Sequence, residues 1–378
     1  MYIVTIMTQK DTEQAKMFSN RLLKQYRILR KWARRERITC YRLYDRDIPE
    51  IPLACDIYTF VPEGSEDKLS AILAINEENA ILSANGKAAA VTEQERSERT
   101  YLHMYLYERP YEKPEEEEEE WLSLMAKSAA ECLGIRESHV ITKTRKRQSA
   151  DRDGKKSQYE RLQGEHRVTG TAFEQGQIFL VNLTQYIDTG LFFDHRPLRN
   201  TVRSECRGKR VLNLYCYTGS FSVYAAEGGA TSVESVDMSN TYLDWAKRNM
   251  ALNGFTSPDR YSFTRSDTEA FLDSSAGREY DIIILDPPTF SNSKKTEHTL
   301  DINRDWPRLV EKCLARLSSE GVLYFSTNSR RLSFSEEKLP RAKDGSLLWK
   351  SEDITQKTIP EDFRSSKIHK AWKITARN

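Results

Sequence analysis

The first part of the chain combines one long amphipathic pattern with several short apolar runs. Apolar residues recur at helical spacing from Asp11 to Arg37, which predicts a helix with one buried face. Short apolar runs predict strands at Thr39–Leu43, Ala54–Phe60 and Tyr101–Tyr107. Between the last two strands lie residues 62–99, to which the pattern assigns no role, although it suggests a hairpin around Asn76–Asn79.

A second helix and a long polar segment follow. The acidic run Glu115–Glu120 suits the start of a helix over Trp121–Leu133 better than a metal site, because carboxylates are favourable at helix N-termini. Val140–Thr144 is predicted to be a strand that leads into a polar, basic loop over Arg145–Glu165. His166–Val181 then has the pattern of a hairpin with its turn near residues 174–176.

From Gly176 onward strand-like and helical runs alternate, which is typical of a parallel α/β sheet. The predicted strands are Arg210–Leu214, Ser232–Val236, Arg260–Arg265, Asp281–Leu285 and Gly321–Ser326, with Asp353–Ile359 and Lys367–Thr375 as a closing pair. The predicted helices lie near Phe221–Glu227, Asn240–Leu252, Thr268–Leu272 and Asp305–Leu317. We therefore predict an α+β domain over residues 1–175 and a doubly wound α/β domain over 176–378.

Composition narrows the class of protein. The 378 residues suffice for two domains, and their net charge is only +2. No apolar run reaches the roughly 18 residues of a membrane span, and no secretion signal stands at the start, so we expect a cytoplasmic protein without a membrane partner. The six cysteines form no CxxC pair, so neither a disulfide framework nor a metal site is expected. Nothing indicates the oligomeric state.

The small net charge hides two basic clusters. Residues 10–37 contain ten basic and three acidic residues, and residues 143–167 contain nine and four. Such clusters in a nearly neutral protein favour contact with a polyanion, although either one alone would fit an ordinary solvated face. The predicted RNA-binding residues are Arg21, Lys24, Arg27, Lys31, Arg34 and Arg35 in the helix, and Lys143, Arg145, Lys146, Arg147, Lys155 and Lys156 in the loop.

The first strand of the α/β domain turns sharply into a helix at Tyr215–Gly219. This turn has one glycine and lacks both GxGxxG and the lysine of a phosphate-binding loop. In a doubly wound sheet this corner faces the ligand crevice. Methionine and ribose need fewer backbone N–H groups than a pyrophosphate, so the sparse loop favours S-adenosylmethionine (SAM) over NAD or ATP. The predicted cofactor contacts here are Asn213, Tyr215, Tyr217, Thr218 and Gly219.

Acidic residues follow three successive predicted strands. Asp237 can accept the ribose hydroxyls, as it also would in an NAD enzyme, and Asp267 can accept from the adenine amino group. Asp286 ends the fourth strand. Purely structural acids would be partly desolvated without a partner, so the three together predict a cofactor crevice. Neighbours included in the prediction are Met238, Ser266 and Thr268.

A dense segment upstream, residues 188–197, reads DTGLFFDHRP. Arg196 could clamp the methionine carboxylate, and Phe192 or Phe193 could cover the cofactor. Asp194 is included among the predicted cofactor residues. The alternative for any single residue is an ordinary glycine-containing entry into a helix over Pro197–Cys206.

The fourth strand ends in an acidic Pro-Pro-aromatic corner, which many SAM-dependent methyltransferases use to hold a nucleobase. Asp286 can accept a hydrogen bond from a base edge, while Pro287 and Pro288 make the turn rigid. Phe290 can stack on the base, a contact worth about 1–3 kcal/mol. Because Asp-Pro also starts ordinary turns, the corner carries weight only together with the cofactor residues upstream. These four are the predicted catalytic residues.

Several runs match a known family: DTGLFFDHRPLR, NLYCYTGSFSV, SVDMSNTYLDWAKRNMALNG, DPPTFSNSK and FSTNSRR, with FSNRLLKQYRILRKWARRERITCYRLYDRDIPE upstream and EDITQKTIPEDF and IHKAWKIT near the end. The chain thereby resembles the C-terminal, guanine-N7 half of the bifunctional 23S rRNA methyltransferase K/L. The resemblance covers most of the chain. The N-terminal, guanine-N2 half has no counterpart here, which predicts a stand-alone version, and residues 62–99 match nothing in the family.

The resemblance implies a Rossmann-like class I SAM-dependent methyltransferase domain, preceded by an α+β subdomain that helps to hold RNA. It implies methylation of N7 of a 23S rRNA guanine near the peptidyl-transferase centre, before the ribosome is assembled. It assigns the loop 213–219, Asp237, Asp267 and residues 188–196 to SAM, and residues 286–290 to the target base.

Other functions stay open to different degrees. A cytosine-C5 RNA methyltransferase needs a cysteine nucleophile, and none stands at the fourth or fifth strand end. Methylation of a purine amino group fits the Asp-Pro-Pro-aromatic corner equally well, and only the resemblance favours N7. A non-catalytic RNA-binding assembly factor would be indicated by failure to bind SAM. The missing GxGxxG disfavours an NAD-linked oxidoreductase.

Overall fold

The computed structural model describes residues 8–84, 86–109, 111, 113–145, 167–274, 277, 279–291 and 299–377. They form two compact units, Met1–Gly190 and Leu191–Asn378. The predicted domain boundary at 175/176 falls in the turn of a hairpin within the first unit. In the described part of the chain, no helix combines the length and the apolar character needed to span a membrane.

The first unit is built on a sheet with the strand order β1-β2-β3-β4. Its strands are β1 (Cys40–Asp45), β2 (Leu53–Thr59), β3 (Thr100–Tyr107) and β4 (Val140–Arg145). The first three are antiparallel, and β4 runs parallel to β3. Helices α1 (Gln9–Arg35) and α4 (Glu115–Leu133) share one hydrophobic core with these strands.

Helix α1 confirms the amphipathic prediction. Thr8 caps its N-terminus, since the Thr8 hydroxyl accepts from the Asp11 backbone N–H and the Asp11 carboxylate accepts from the Thr8 N–H. The apolar stripe, which includes Phe18, Leu22 and Trp32, is buried. The acidic run is also helical, because α4 begins at Glu115, six residues before the predicted start.

The hairpin suggested around Asn76–Asn79 is wrong. Residues 62–99 form two helices, α2 (Lys68–Ala84) and α3 (Lys87–Ser97). The buried positions of α2 recur at helical spacing and include Glu78, whose carboxylate accepts from Arg96 at 2.9 Å and also pairs with Arg99. The apolar residues of α2 lie on two faces, since Leu69 and Leu73 are exposed while Ile75 and Leu82 are buried, so no single apolar stripe marks this helix in the sequence.

The predicted hairpin after the basic loop is confirmed as β5 (Thr169–Glu174) and β6 (Gln177–Asn182). Its two turn residues, Gln175 and Gly176, have φ of 52° and 92°. Positive φ at both central positions is the geometry that matches the twist of the flanking strands.

The second unit has a mixed sheet with the order β14-β15-β13-β10-β7-β8-β9. The strands are β7 (Arg210–Leu214), β8 (Ser232–Asp237), β9 (Tyr261–Arg265), β10 (Tyr280–Leu285), β13 (Leu317–Thr327), β14 (Trp349–Asp353) and β15 (Lys370–Ala376), beside the short ribbon β11 (Phe290–Ser291) and β12 (Leu300–Asp301). Strands β9, β8, β7, β10 and β13 are parallel, and β15 is antiparallel to β13. The strand order reverses between β7 and β10, where doubly wound sheets bind ligands.

Helices connect these strands. They are α5 (Arg196–Glu205), α6 (Ser220–Glu227), α7 (Asn240–Leu252), α8 (Thr268–Ser274), α9 (Ile302–Leu314) and α10 (Thr355–Thr358). The alternation confirms the predicted α/β class. The closing pair is partly wrong. The strand predicted over Asp353–Ile359 is instead the helix α10, and β15 pairs with β14, which ends where that strand was predicted to begin.

Candidate functional site

The loop between β7 and α6 has a strained backbone. Tyr215 and Tyr217 have φ of 54° and 50°. Left-handed backbone costs a non-glycine residue about 1–2 kcal/mol, and such strain concentrates at ligand sites. Burial raises the pKa of the Tyr215 hydroxyl, and the nearby Thr268 at the start of α8 opposes that shift.

Asp237, at the end of β8, helps to hold the same loop. Its carboxylate accepts from the backbone N–H of Tyr217 at 3.0 Å and of Ser239 at 2.8 Å. Burial raises the pKa of Asp237, although these backbone donors oppose that shift. A carboxylate offers about four acceptor positions, so Asp237 keeps capacity for hydroxyl groups of a ligand.

The residues beneath the loop are buried and bonded within the protein. Asn213 Nδ2 donates to Ser222 Oγ at 2.9 Å, and Asn249 Nδ2 donates to the Thr218 carbonyl at 2.9 Å. Gly219 has φ of 76°, and a β-carbon there would lie 2.8 Å from Ala246 Cβ of α7. Asn213 and Gly219 therefore support the loop and the close packing of α7 against it.

Aromatic rings flank the loop. Phe192 is 41% exposed, and its ring centroid lies 5.2 Å from that of Tyr217. Tyr217 in turn packs edge-on against Tyr242 at 4.5 Å. Phe193 is buried. Of the two phenylalanines considered for covering the cofactor, only Phe192 is accessible for that contact.

Asp267 follows β9 and serves as the N-cap of α8. Its Oδ1 accepts from the backbone N–H groups of Glu269 and Ala270, both at 3.0 Å. Oδ2 has no hydrogen-bond partner among the described residues. Ser266 Oγ donates to the Asp267 carbonyl at 2.9 Å. Oδ1 therefore caps α8, and Oδ2 can accept a hydrogen bond from a ligand.

The Asp-Pro-Pro-aromatic corner lies at the end of β10. Asp286 Oδ1 accepts from Ser326 Oγ, at the end of β13, at 2.6 Å. The Asp286 side chain is 29% exposed. Phe290 is 43% exposed and begins the short ribbon, in which it pairs with Asp301. The corner therefore presents one carboxylate and one accessible ring.

Two histidines form a cluster with Asp194 and Asp286, and of these only His195 lies in the segment that the resemblance assigned to the cofactor. His195 Nε2 is 3.5 Å from Asp286 Oδ1, and His195 Nδ1 is 3.3 Å from Asp194 Oδ2. His369 Nδ1 is 3.5 Å from the same Asp194 oxygen, and its ring stacks on that of His195 at 4.6 Å. His369 lies just before β15, far along the chain, so only the fold could reveal this cluster. His195 lies in the segment 188–197, DTGLFFDHRP, which the sequence had already singled out, whereas His369 lies outside it.

The Arg196 guanidinium forms a buried ion pair within the protein. Its Nη1 donates to Asp362 Oδ1 at 3.0 Å, and both side chains are almost completely buried. Its guanidinium also lies 5.5 Å from the Phe193 ring. A buried, paired guanidinium is not available to clamp a methionine carboxylate, so the expected role of Arg196 does not fit its position.

The cysteines do not offer a nucleophile at the strand ends. Burial raises the pKa of Cys216 well above its ordinary value, and the Asp237 carboxylate adds to the shift. Cys313 is buried in α9, and burial raises its pKa too. Because the thiolate is the reactive form, these thiols fit structural roles.

The predicted RNA-binding residues of α1 differ in availability. Lys24, Arg27, Lys31 and Arg35 are exposed on the side opposite the core, and Arg34 is half-buried. Arg21 pairs with Asp47 at 2.7 Å, and Arg35 pairs with the adjacent Glu36. In the loop, the Lys143 amine donates to the Tyr186 carbonyl. The side chain of Arg145 and the residues Lys146, Arg147, Lys155 and Lys156 lie outside the description.

The doubly wound sheet, the strained loop and the carboxylates at successive strand ends define a class: nucleotide-cofactor enzymes with a Rossmann-like α/β fold. The chain belongs to the S-adenosylmethionine-dependent methyltransferases, whose family model matches residues 85–333. Its cofactor is S-adenosylmethionine. When bound, this cofactor supplies an activated methyl group for transfer to a nucleophile.

Curated relatives extend the likeness to the first unit. A protein of Pseudomonas fluorescens called ribosomal RNA large subunit methyltransferase K/L is 41% identical over 97% of this chain and 41% of its own length. One of Stutzerimonas stutzeri with the same name is also 41% identical, over 97% of this chain and 43% of its own. The chain thus spans about two fifths of these relatives, which are longer chains and do not support the predicted stand-alone version.

Solved structures share the fold. A Streptococcus mutans protein described as a SAM-dependent methyltransferase superposes with a TM-score of 0.65 at 19% identity, over 95% of this chain and 81% of its own. A methyltransferase structure complexed with SAH superposes equally well, with the same identity and coverage. Both likenesses concern the architecture.

The site fits the cofactor chemically. SAM carries ribose hydroxyls and an adenine amino group, which need acceptors. Asp237 and Asp267 supply carboxylate oxygens with unused acceptor capacity at adjoining strand ends. The Asp237 carboxylate also binds the Tyr217 backbone N–H and so helps to hold the loop Tyr215–Gly219.

Proposed function

We propose that the protein methylates N7 of a guanine in 23S rRNA, as a cytoplasmic enzyme acting on free or partly assembled large-subunit RNA. The observation that carries this proposal is the Asp286–Phe290 corner, with its half-buried Asp286 and exposed Phe290, in a chain 41% identical, over 97% of its length, to a protein called ribosomal RNA large subunit methyltransferase K/L. The corner offers a carboxylate that can accept a hydrogen bond from the base edge and an aromatic ring on which the base can stack.

For the cofactor we propose that Asp237 accepts the ribose hydroxyls and that Asp267, beside Ser266 and Thr268, accepts from the adenine amino group. Phe192 covers the cofactor from the loop side, together with Tyr217. Asn213, Thr218 and Gly219 act indirectly by shaping the loop. Arg196 is left out, because its guanidinium is paired with Asp362.

For the base we propose that Asp286 accepts from the guanine edge and that Phe290 stacks on the ring, with Pro287 and Pro288 keeping the corner rigid. N7 of guanine already carries an in-plane lone pair, so its methylation needs no general base. Orientation alone can lower a barrier by about 7–11 kcal/mol. The methylated base is cationic, and the Phe290 face and the Asp286 carboxylate stabilise that charge. An A-form duplex hides N7 in a deep, narrow groove, so the target is an unpaired or flipped guanine.

For RNA we propose that the exposed basic face of α1, formed by Lys24, Arg27, Lys31 and Arg35, contacts phosphates. Such contacts give affinity without sequence information and weaken with salt. Base recognition at Asp286 and Phe290 then supplies the choice of target.

The test is to incubate the protein with SAM and unmethylated, protein-free 23S rRNA, digest the RNA, and identify the modified nucleoside by mass spectrometry. We expect 7-methylguanosine, and we expect Asp286→Ala to abolish turnover while SAM affinity is retained. Asp273→Ala, a change of an exposed acid on α8, serves as a control that should remain active. An N2-methylguanosine or N6-methyladenosine product would contradict N7 transfer, and equal losses of turnover and SAM affinity in Asp286→Ala would contradict its assignment to the base.

A further inference from the structure

His195 lies between two carboxylates inside the second unit. Its Nδ1 faces Asp194 at 3.3 Å, and its Nε2 faces Asp286 at 3.5 Å. A neutral imidazole has only one N–H, so one of its nitrogens would turn a lone pair towards a carboxylate oxygen. Favourable contact with both acids requires a proton on each nitrogen. The arrangement therefore selects the charged imidazolium.

The remaining groups around His195 agree with this state. Burial disfavours the imidazolium and Arg199 opposes it, but the charges of Asp286 and Asp194 outweigh both and raise the pKa of His195 to about 9. Burial and the neighbouring His195 lower the pKa of His369, although Asp194 opposes that shift, which favours the neutral form of the stacked ring. Its Nε2 lies 2.9 Å from the Thr358 hydroxyl.

One hydrogen bond holds the Asp286 carboxylate from the interior, and its contact with His195 is electrostatic, because His195 Nε2 makes no hydrogen bond among the described residues. Oδ1 accepts from Ser326 at 2.6 Å and faces His195, whereas Oδ2 has no partner among the described residues. One oxygen is thus secured from the interior and the other is left for a ligand.

We propose that His195 is a positioning residue for the target base, which as an imidazolium between Asp194 and Asp286 aims the Asp286 carboxylate at the guanine. This rests on the proposed function, because it takes Asp286 to contact the base. His195 touches neither cofactor nor substrate in this arrangement. It acts through Asp286.

The charge state is tested directly by long-range ¹H–¹⁵N NMR of the whole chain labelled at histidine. His195 should carry protons on both nitrogens at neutral pH and lose one near pH 9. In Asp194→Asn one of the two carboxylates is gone, so the His195 transition should move to lower pH, and the alkaline limb of kcat should move with it. A His195 that is neutral in the wild type, or a transition and pH profile that stay in place in Asp194→Asn, would overturn the proposal.

The positioning role is tested by His195→Gln. We expect kcat on 23S rRNA to fall on the order of 10–100-fold, as for a small misplacement of a reacting group, with SAM affinity and KM for RNA unchanged. His139→Gln is the matched control, since His139 is also buried but lies in the first unit. Normal 7-methylguanosine formation with an unchanged kcat in His195→Gln would overturn the positioning role alone. A wild type that makes no 7-methylguanosine would overturn the proposed function as well.

Discussion

Gly219→Ala tests whether the cofactor loop depends on a backbone that only glycine adopts easily. Gly219 has φ of 76° and begins α6, and a methyl group there would meet Ala246 Cβ at 2.8 Å. The neighbour belongs to helix α7 and cannot swing away as a long side chain could. The substitution therefore strains the loop in two independent ways.

The two effects have known sizes. Left-handed backbone costs alanine about 1–2 kcal/mol, and overpacking of a filled core costs about 1–3 kcal/mol. Alanine also restricts the unfolded chain, which offsets about 0.4–1 kcal/mol. We expect Gly219→Ala to destabilise the second unit by about 1–4 kcal/mol, against a typical domain stability of about 5–15 kcal/mol. SAM affinity should also fall, because the loop must shift.

Urea unfolding and calorimetric SAM titration check both expectations. Ala246→Gly alone should cost about 1 kcal/mol, the penalty of glycine within a helix. The pair Gly219→Ala/Ala246→Gly removes the clash and leaves the backbone cost, so it should recover part of the stability and of the SAM affinity. Strictly additive effects of the two substitutions would refute the packing argument, since contacting residues must couple. A fully stable Gly219→Ala would refute both arguments.

Two further predictions concern charges. Breaking the Arg196–Asp362 pair with Arg196→Met should destabilise the protein by about 3–5 kcal/mol, whereas Arg196→Met/Asp362→Leu should regain most of it, as measured by thermal unfolding; a mild effect of the single change would show that the pair is not desolvated. Changing Lys24, Arg27 and Lys31 to Gln should reduce the slope of log affinity for single-stranded RNA against log salt by about 2, at about 0.7 per phosphate contact, in fluorescence anisotropy. If SAM affinity fell as well, these side chains would be structural.

The periodic elements were predictable because their signals are local. Helix α1 and the alternating strands of the second unit follow from residue spacing, and their predicted bounds lie within a few residues of the observed ones. The errors fall where a tertiary contact decides. Packing decides which apolar residues of α2 are buried, with Ile75 and Leu82 inside and Leu69 and Leu73 exposed, and Thr355 and Thr358 of the predicted end strand are buried in α10.

The carboxyl ends of parallel strands lie at one edge of a sheet, so the sequence alone placed Asp237, Asp267 and Asp286 at that edge, and the sparse loop after β7 favoured SAM as the cofactor. The sequence could not determine which partner each charged side chain has in the folded protein. Arg196 lies in the same dense segment as His195, yet the fold pairs Arg196 with Asp362 and aims His195 at Asp286. His369 joins them from residues that are distant along the chain. A buried charge needs a partner, and which partner lies within reach depends on how the elements pack, so only the tertiary structure determines it.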